Sequence, residues 1–134
     1  MKYVFYLLLI GLFGYSVQSC KKDEGTPPVI NFRTGPAYTS SDVTVAAGDT
    51  LLIGIHAEKA EDEDVLKHFN VSYTVDGGSS ITIDDFNLTV DDEDDFDVDY
   101  SFTAPEAGHA YKVTFTVTNS DDRTNSVSLT LTSN

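Results

Sequence analysis

Apolar and polar residues alternate along most of this 134-residue chain. A period of two is typical of strands that bury one face, and after the N-terminal segment no stretch sustains the 3.6-residue period of an amphipathic helix. The alternation is cleanest at residues 96–102 and 111–117. It predicts further strands at 29–32, 43–45, 50–57, 69–75, 81–83 and 127–131, with residues 86–90 either extending the strand before them or forming another.

Turn-forming residues separate these strands, for example Asp76-Gly77-Gly78 and Asn119 to Asp122. The charged segment 58–67 is predicted to be a loop or a single helical turn. A parallel α/β sheet would need helical crossovers, and the pattern contains none. Seven to eight short strands over about 100 residues therefore predict an all-β fold, a single antiparallel β-sandwich.

The segment from Gly108 to Phe115 (GHAYKVTF) resembles the tyrosine corner of immunoglobulin-like sandwiches. The resemblance implies that the hydroxyl of Tyr111 bonds backbone a few residues upstream, near Pro105 or Glu106. Residues 111–132 also resemble the closing hairpin of PKD-type and related immunoglobulin-like domains of bacterial surface proteins. PKD domains carry a tryptophan and a Gly-Asp-Gly turn; this chain has no tryptophan. We therefore expect the immunoglobulin-like architecture and assign no family.

Seven of the ten aromatic residues in 29–134 are in phase with the aliphatic residues of their own strands, so we expect them to face the core. Three others, Phe32, Tyr38 and Phe86, are candidates for an exposed platform of the kind that stacks on sugars. Because the candidates are so few, the pattern favours core packing over sugar binding by aromatic rings.

An apolar run from Tyr3 to Gly14 follows Lys2, and the only cysteine of the chain follows in Val17-Gln18-Ser19-Cys20. The run is too short to span a bilayer and has the length of the apolar region of a secretory signal. The motif resembles the lipobox of bacterial lipoproteins, in which the cysteine is acylated. The resemblance implies a signal peptide at 1–19, a lipidated Cys20 with a flexible tether at 20–28, and a domain at 29–134. The alternative is a chance thiol beside an ordinary cleavage site.

The residues after Cys20 bear on location. Lys22-Asp23-Glu24 resembles the export tag of surface-exposed lipoproteins in some Gram-negative bacteria, and Lys21 stands where an inner-membrane retention signal would have aspartate. We expect a protein anchored in the outer membrane through Cys20 and facing outward, with a periplasm-facing protein as the alternative.

Charge limits the partners. The chain has 22 acidic and 8 basic side chains; without residues 1–19 the basic count falls to 7 and the net charge is −15. Binding nucleic acid needs a basic stripe, so we expect no nucleic-acid partner.

Seven of the nine residues from 91 to 99 are acidic. One interpretation is a calcium site formed by Asp91, Asp92, Asp94 and Asp95, with residues 61–64 as additional ligands. An EF-hand loop is excluded, because Tyr100 occupies the position of its glycine. The other interpretation is a solvated face on an edge strand that charge protects from aggregation, with Asp95, Asp97 and Asp99 pointing outward. Usual sandwich topology predicts that loops 58–67 and 91–95 lie at opposite ends, which disfavours a joint site.

Catalytic motifs are absent from the sequence. It contains neither a Gly-x-Ser-x-Gly elbow nor a His-Glu-x-x-His pair, and its three histidines are scattered. We expect a protein that is not an enzyme and has no cofactor, unless calcium binds. The predicted role is a lipid-anchored surface module that binds or adheres to a protein or glycan. The alternative is an accessory or structural subunit of a larger outer-membrane assembly, with calcium stabilisation as a variant of either.

Overall fold

A computed structural model describes residues 25–134; the predicted signal peptide and Cys20 lie outside the described residues. Eight strands and one short 3-10 turn make up the regular structure of these described residues. No helix within this range has the length and hydropathy that a bilayer crossing requires. The elements are β1 (Val29–Phe32), β2 (Val43–Val45), β3 (Thr50–Glu58), β4 (Leu66–Val75), β5 (Ile81–Asn87), the 3-10 turn (Val90–Asp92), β6 (Asp95–Thr103), β7 (Ala110–Asn119) and β8 (Thr124–Ser133).

The strands form two sheets, one of three strands in the order β1-β3-β6 and one of five in the order β2-β8-β7-β4-β5. This confirms the predicted all-β sandwich. Every strand pair is antiparallel except β2 with β8, which is parallel. This pair is the exception in an otherwise antiparallel sandwich: β2 belongs to the other sheet from β1 and runs alongside β8 in the same direction.

The core lies between the sheets and is rich in aromatic rings. Phe69 of β4 is fully buried and its ring centroid lies 5.1 Å from that of Phe96 and 6.3 Å from that of Phe115. The aromatic residues in phase with their strands are all buried or partly buried against this core, as predicted. They are Phe69, Tyr73, Phe96, Tyr100, Phe102, Tyr111 and Phe115.

Two of the three platform candidates also belong to the core. Phe32 packs edge-on against Phe115 with 6.3 Å between centroids, and Phe86 packs against Phe69 at 5.6 Å. Phe86 lies within β5, so that strand extends from residue 81 to residue 87. These rings are therefore unavailable as an exposed platform.

Tyr38, the third candidate, is seated on the outer face of the three-stranded sheet. Its ring covers Gly54, where a Cβ atom would come within 2.8 Å of the ring carbons. The guanidinium carbon of Arg33 lies 4.9 Å from the ring centroid, and the phenol donates to Asp99 at 3.2 Å. Glycine is required at position 54 because the ring takes the place of a side chain.

The sandwich has two ends. The tether end carries residues 25–28, the β3–β4 loop (59–65), the segment 88–94 and the β7–β8 turn (120–123). The far end carries the β2–β3 turn (46–49), the β4–β5 turn (76–80) and the β6–β7 loop (104–109).

Loops 58–67 and 91–95 meet at the tether end, so the prediction of opposite ends is wrong. The backbone N–H of Lys59 donates to the carbonyl of Asp94 at 3.0 Å, and that of Leu66 donates to the carbonyl of Glu93 at 2.8 Å. The reason is the single strand β5: it runs back to the end where β4 began, and the chain crosses there to β6.

Candidate functional site

The side chains of the acidic segment 91–99 bind different groups of the protein. Asp91 and Asp92 lie in the 3-10 turn, where the hydroxyl of Thr89 donates to Asp92 at 2.8 Å. The ammonium of Lys59 lies 2.6 Å from the carboxylate of Asp94. Two of the four predicted calcium ligands are therefore already bound to groups of the protein.

The fourth predicted ligand, Asp95, begins β6 opposite Glu58. Within residues 25–134 no three His, Cys, Asp or Glu side chains are grouped so that they could hold a metal ion. Calcium binding stays a prediction, which thermal melts in calcium, magnesium and EDTA would test.

The carboxylates of β6 point outward, as predicted, and two of them bind cationic or polar groups on the same sheet. Asp97 lies 2.6 Å from the Nδ1 atom of His56, and Asp99 lies 2.7 Å from the guanidinium of Arg33. Because β6 pairs with no described strand other than β3, it is an edge strand of its sheet. Charged side chains on such an edge oppose pairing with a second chain.

Asn119, at the end of β7, joins the segments of the tether end. It is 1% exposed. Its amide nitrogen donates to the carbonyl of Thr26 at 3.2 Å and to the carboxylate of Asp64 at 3.0 Å. Its side-chain oxygen accepts from the backbone N–H groups of Asp121 at 3.1 Å and Arg123 at 2.9 Å. One side chain thus binds the chain entry, the β3–β4 loop and the β7–β8 turn.

Asp64 is the buried carboxylate of this end, with 3% of its surface exposed. Burial raises its pKa above the usual range, and the neighbouring carboxylates of Asp121 and Glu61 raise it further. The folded protein therefore holds a proton on Asp64 more tightly than the unfolded chain does, so ionisation of this group opposes folding.

Residues 25–28, assigned to the tether from the sequence, pack onto the domain. Pro28 is fully buried, and its carbonyl accepts from the side chain of Asn125 at 2.9 Å. The hydroxyl of Thr26 bonds the carboxylate of Glu61. Gly25 has a φ of 53° and lies against Asp121. The chain entry is therefore fixed to the tether end.

Tyr111 makes the contacts expected of a tyrosine corner. Its hydroxyl accepts from the backbone N–H of Glu106 at 3.1 Å and donates to the carbonyl of the same residue at 3.3 Å. These bonds hold the β6–β7 loop of the far end against the start of β7.

Two histidines bridge neighbouring strands. The hydrogen bond to Asp97 raises the pKa of His56. The pKa of His68 is raised by its hydrogen bond to Asn87 at 3.1 Å and then by that to Asp85. Each imidazolium lies beside acceptors that stabilise its charged form.

The third histidine lies at the far end. The carboxylate of Asp76, 2.6 Å away, raises the pKa of His109. The pKa of Asp76 is lowered by the backbone N–H of Ala110 and then by this imidazole.

Asp85, the partner of His68, also has a lowered pKa. The hydrogen bond from Asn70 lowers it most, and the hydrogen bond with His68 lowers it further.

These pairs predict that the protein is more stable at pH 6 than at pH 8. A histidine with a raised folded pKa stabilises the fold fully below its unfolded value of about 6.5, and the stabilisation is lost as the pH rises through the folded pKa. The lowered pKa values of Asp76 and Asp85 mean that their stabilisation is lost only under acid conditions. We expect the melting temperature, followed by circular dichroism at constant ionic strength, to fall by a few degrees between pH 6 and pH 8.

A matched pair of variants distinguishes a pH dependence of stability that arises from the histidine pairs from one that arises from overall charge repulsion. His68→Gln should reduce the slope of melting temperature against pH, whereas Asp122→Asn, at an exposed carboxylate of the β7–β8 turn, should leave it unchanged. A melting temperature that is flat or rises over this range would contradict the assignment.

Comparison with solved structures shows the fold. The domain resembles a superoxide reductase (neelaredoxin) from Ignicoccus hospitalis, with 10% identity over 87% of both chains and a TM-score of 0.55. Also similar is the CARDB domain of a Pyrococcus furiosus protein, with 15% identity over 79% of this chain and 96% of that one and a TM-score of 0.47. No family model matches the chain, and no curated protein matches it. The two-sheet order and the corner at the start of β7 make it an immunoglobulin-like β-sandwich.

Proposed function

We propose that this protein is a non-catalytic binding or adhesion module, anchored in the outer membrane by lipid on Cys20 and facing outward. The observation that carries the proposal is the docking of residues 25–28, which begin five residues after Cys20, onto one end of the sandwich. A lipid at Cys20 would place the tether end next to the membrane. The far end and the strand edges would then be directed toward partners.

The charge of the tether end supports this arrangement. Its three connecting segments, 59–65, 88–94 and 120–123, hold ten acidic residues against Lys59 and Arg123. An anionic membrane surface repels such an end within a Debye length, about 8 Å at physiological ionic strength. The domain would therefore be held off the lipid surface and remain accessible to a ligand.

The lipid anchor predicts a specific outcome for Cys20→Ser. In cells that produce the intact precursor, the unchanged protein should incorporate an alkyne-labelled fatty acid and sediment with the outer membrane, since several acyl chains make anchoring effectively permanent. Cys20→Ser should abolish both, whereas Ser19→Ala, which keeps a small residue before the cysteine, should retain both. A cleaved protein whose Cys20 still reacts with maleimide would show an ordinary signal peptide and overturn the anchor.

Orientation and role need separate measurements. Protease added to intact cells should degrade the domain if it faces outward and spare it if it faces the periplasm. Cross-linking that yields one stoichiometric membrane partner would favour the accessory-subunit alternative over a free binding module.

A further inference from the structure

Strand β5 is an open edge of the five-stranded sheet. Among the described residues it pairs only with β4, so the backbone N–H and C=O groups on its other side have no strand partner. Every side chain of its seven residues is exposed except that of Phe86, which is partly buried. The ladder with β4 shifts register at Ile83, so an extended segment could approach the strand on either side of this bulge.

The other edges of the two sheets are poorer sites for strand addition. β1 has four residues and β2 has three. β6 has nine, but none of the large hydrophobic residues exposed within 25–134 lies on it. β5 combines length with exposed apolar side chains.

Exposed apolar side chains concentrate at β5. The large hydrophobic residues exposed within 25–134 are Ile81 (46%), Ile83 (38%) and Val90 (80%). Two of them lie on β5 and the third follows its end by three residues. Covering Ile81 and Ile83 with apolar side chains of a partner would remove them from water.

The charge of the strand identifies the partner. Asp84 and Asp85 lie together in the middle of β5, and Asp85 binds His68 and Asn70 of β4. The carboxylate of Asp84 accepts the backbone N–H of Asp85, and no cation of the described residues lies within ion-pair distance of it. Antiparallel pairing of two copies through β5 would bring like charges together, which is unfavourable. Lysine or arginine opposite Asp84 would be favourable.

We infer that β5 binds, by strand addition, an extended segment of another protein in which basic and apolar side chains alternate. Backbone hydrogen bonds would supply affinity, and Ile81, Ile83 and Asp84 would supply selectivity. This deepens the proposed binding role but rests on β5 alone: it holds for the purified chain wherever the protein is anchored.

The test uses the full chain in detergent micelles and a fluorescent eight-residue peptide of alternating valine and lysine. We expect saturable binding by fluorescence anisotropy, with slowed hydrogen exchange at the amides of β5. The same peptide with alternate N-methylated residues, which cannot pair, should not bind. Neither should a peptide of alternating valine and glutamate.

Protein variants test selectivity. Asp84→Asn should weaken binding about fivefold, the upper range for a cross-strand charge pair. Asp122→Asn removes the same charge in the β7–β8 turn, which β4 separates from β5 in the sheet, and should change binding less than about twofold, because salt screens the charge over that separation. The double variant I81K/I83K should abolish binding, and melting curves would verify that it folds.

Three results would overturn the inference. One is no binding at millimolar peptide, and another is equal binding of the N-methylated peptide, which would indicate attraction to net charge alone. The third is protection of β5 amides by self-association of the chain in analytical ultracentrifugation, which would make the occupant a second copy. If Cys20→Ser showed that Cys20 is not lipidated, the peptide-binding measurements would still test this inference, because they use the purified chain.

Discussion

Asn119→Ala should lower the free energy of unfolding by about 3–5 kcal/mol, as expected when a buried charged group and its neighbours lose their hydrogen bonds. The change removes all four bonds of the side chain. It leaves the buried carboxylate of Asp64 without its donor and two backbone N–H groups of the β7–β8 turn without acceptors. Urea denaturation followed by circular dichroism measures the loss.

Two further variants test whether Asn119→Ala lowers the free energy of unfolding through the lost hydrogen bonds. Asn125→Ala, at an exposed position of β8, removes one bond to the carbonyl of Pro28 and one local bond from the backbone N–H of Ser126, and should cost only about 1–2 kcal/mol. Asp64→Asn should stabilise the protein at pH 7, because it removes a buried charge whose pKa burial raises, and it should recover part of the loss when combined with Asn119→Ala. Equal effects of the two asparagine variants would contradict the central role of Asn119.

Phe69→Ala should cost about 3–5 kcal/mol, the range for truncating a fully buried aromatic ring. Phe69 contacts rings from three other strands, Phe86 of β5, Phe96 of β6 and Phe115 of β7, so the cavity would lie between the two sheets. Domains of this size are stable by about 5–15 kcal/mol. Phe69→Ala would therefore remove a large part of the free energy of unfolding, which a lower urea midpoint would show.

The size of the cavity determines this effect. Phe69→Leu keeps most of the volume and should cost less than about 1.5 kcal/mol. Phe32→Ala, at a partly buried ring that packs on Phe115, should fall between the two. A Phe69→Ala loss no larger than that of Phe32→Ala would mean that the core is not centred on β4.

The sequence predicts the strands well where the relevant information is local. The alternation Phe96-Val98-Tyr100 specifies both a strand and the face that is buried, because side chains two positions apart share a face. The tyrosine corner is also local, since Tyr111 and Glu106 are five residues apart.

The tether end could not be predicted because it depends on distant segments. The sequence indicates Asn119 only as part of a turn, although its side chain bonds Thr26, 93 positions away, and Asp64, 55 positions away. Asp64 ends the acidic run that begins at Glu61, and a carboxylate in such a run gives no sequence signal of burial. The pairing of His56 with Asp97 likewise needs the register of β3 with β6.

Strand β5 illustrates a third case. The sequence predicts a strand at 81–83, but adjacent Asp84 and Asp85 interrupt the alternation. The structure resolves the interruption with a register shift between Val71 and Ser72 of β4, which leaves Ile83 without a paired residue. The interrupted alternation at Asp84 and Asp85 indicates an edge strand. The sheet order shows that this strand lies next to β4, at one edge of the five-stranded sheet.

The fixed chain entry has a mechanical consequence. If the protein is lipid-anchored as proposed, a bound partner pulls the domain against its anchor, and the force enters the domain at residues 25–28. There it meets the bonds from Asn119 and Asn125 and then the ladder between β1 and β3, whose antiparallel register runs from Val29 to Phe32. Tension along β1 loads these bonds together in shear. The same contacts that order the chain entry would thus set the rate at which the domain unfolds under flow.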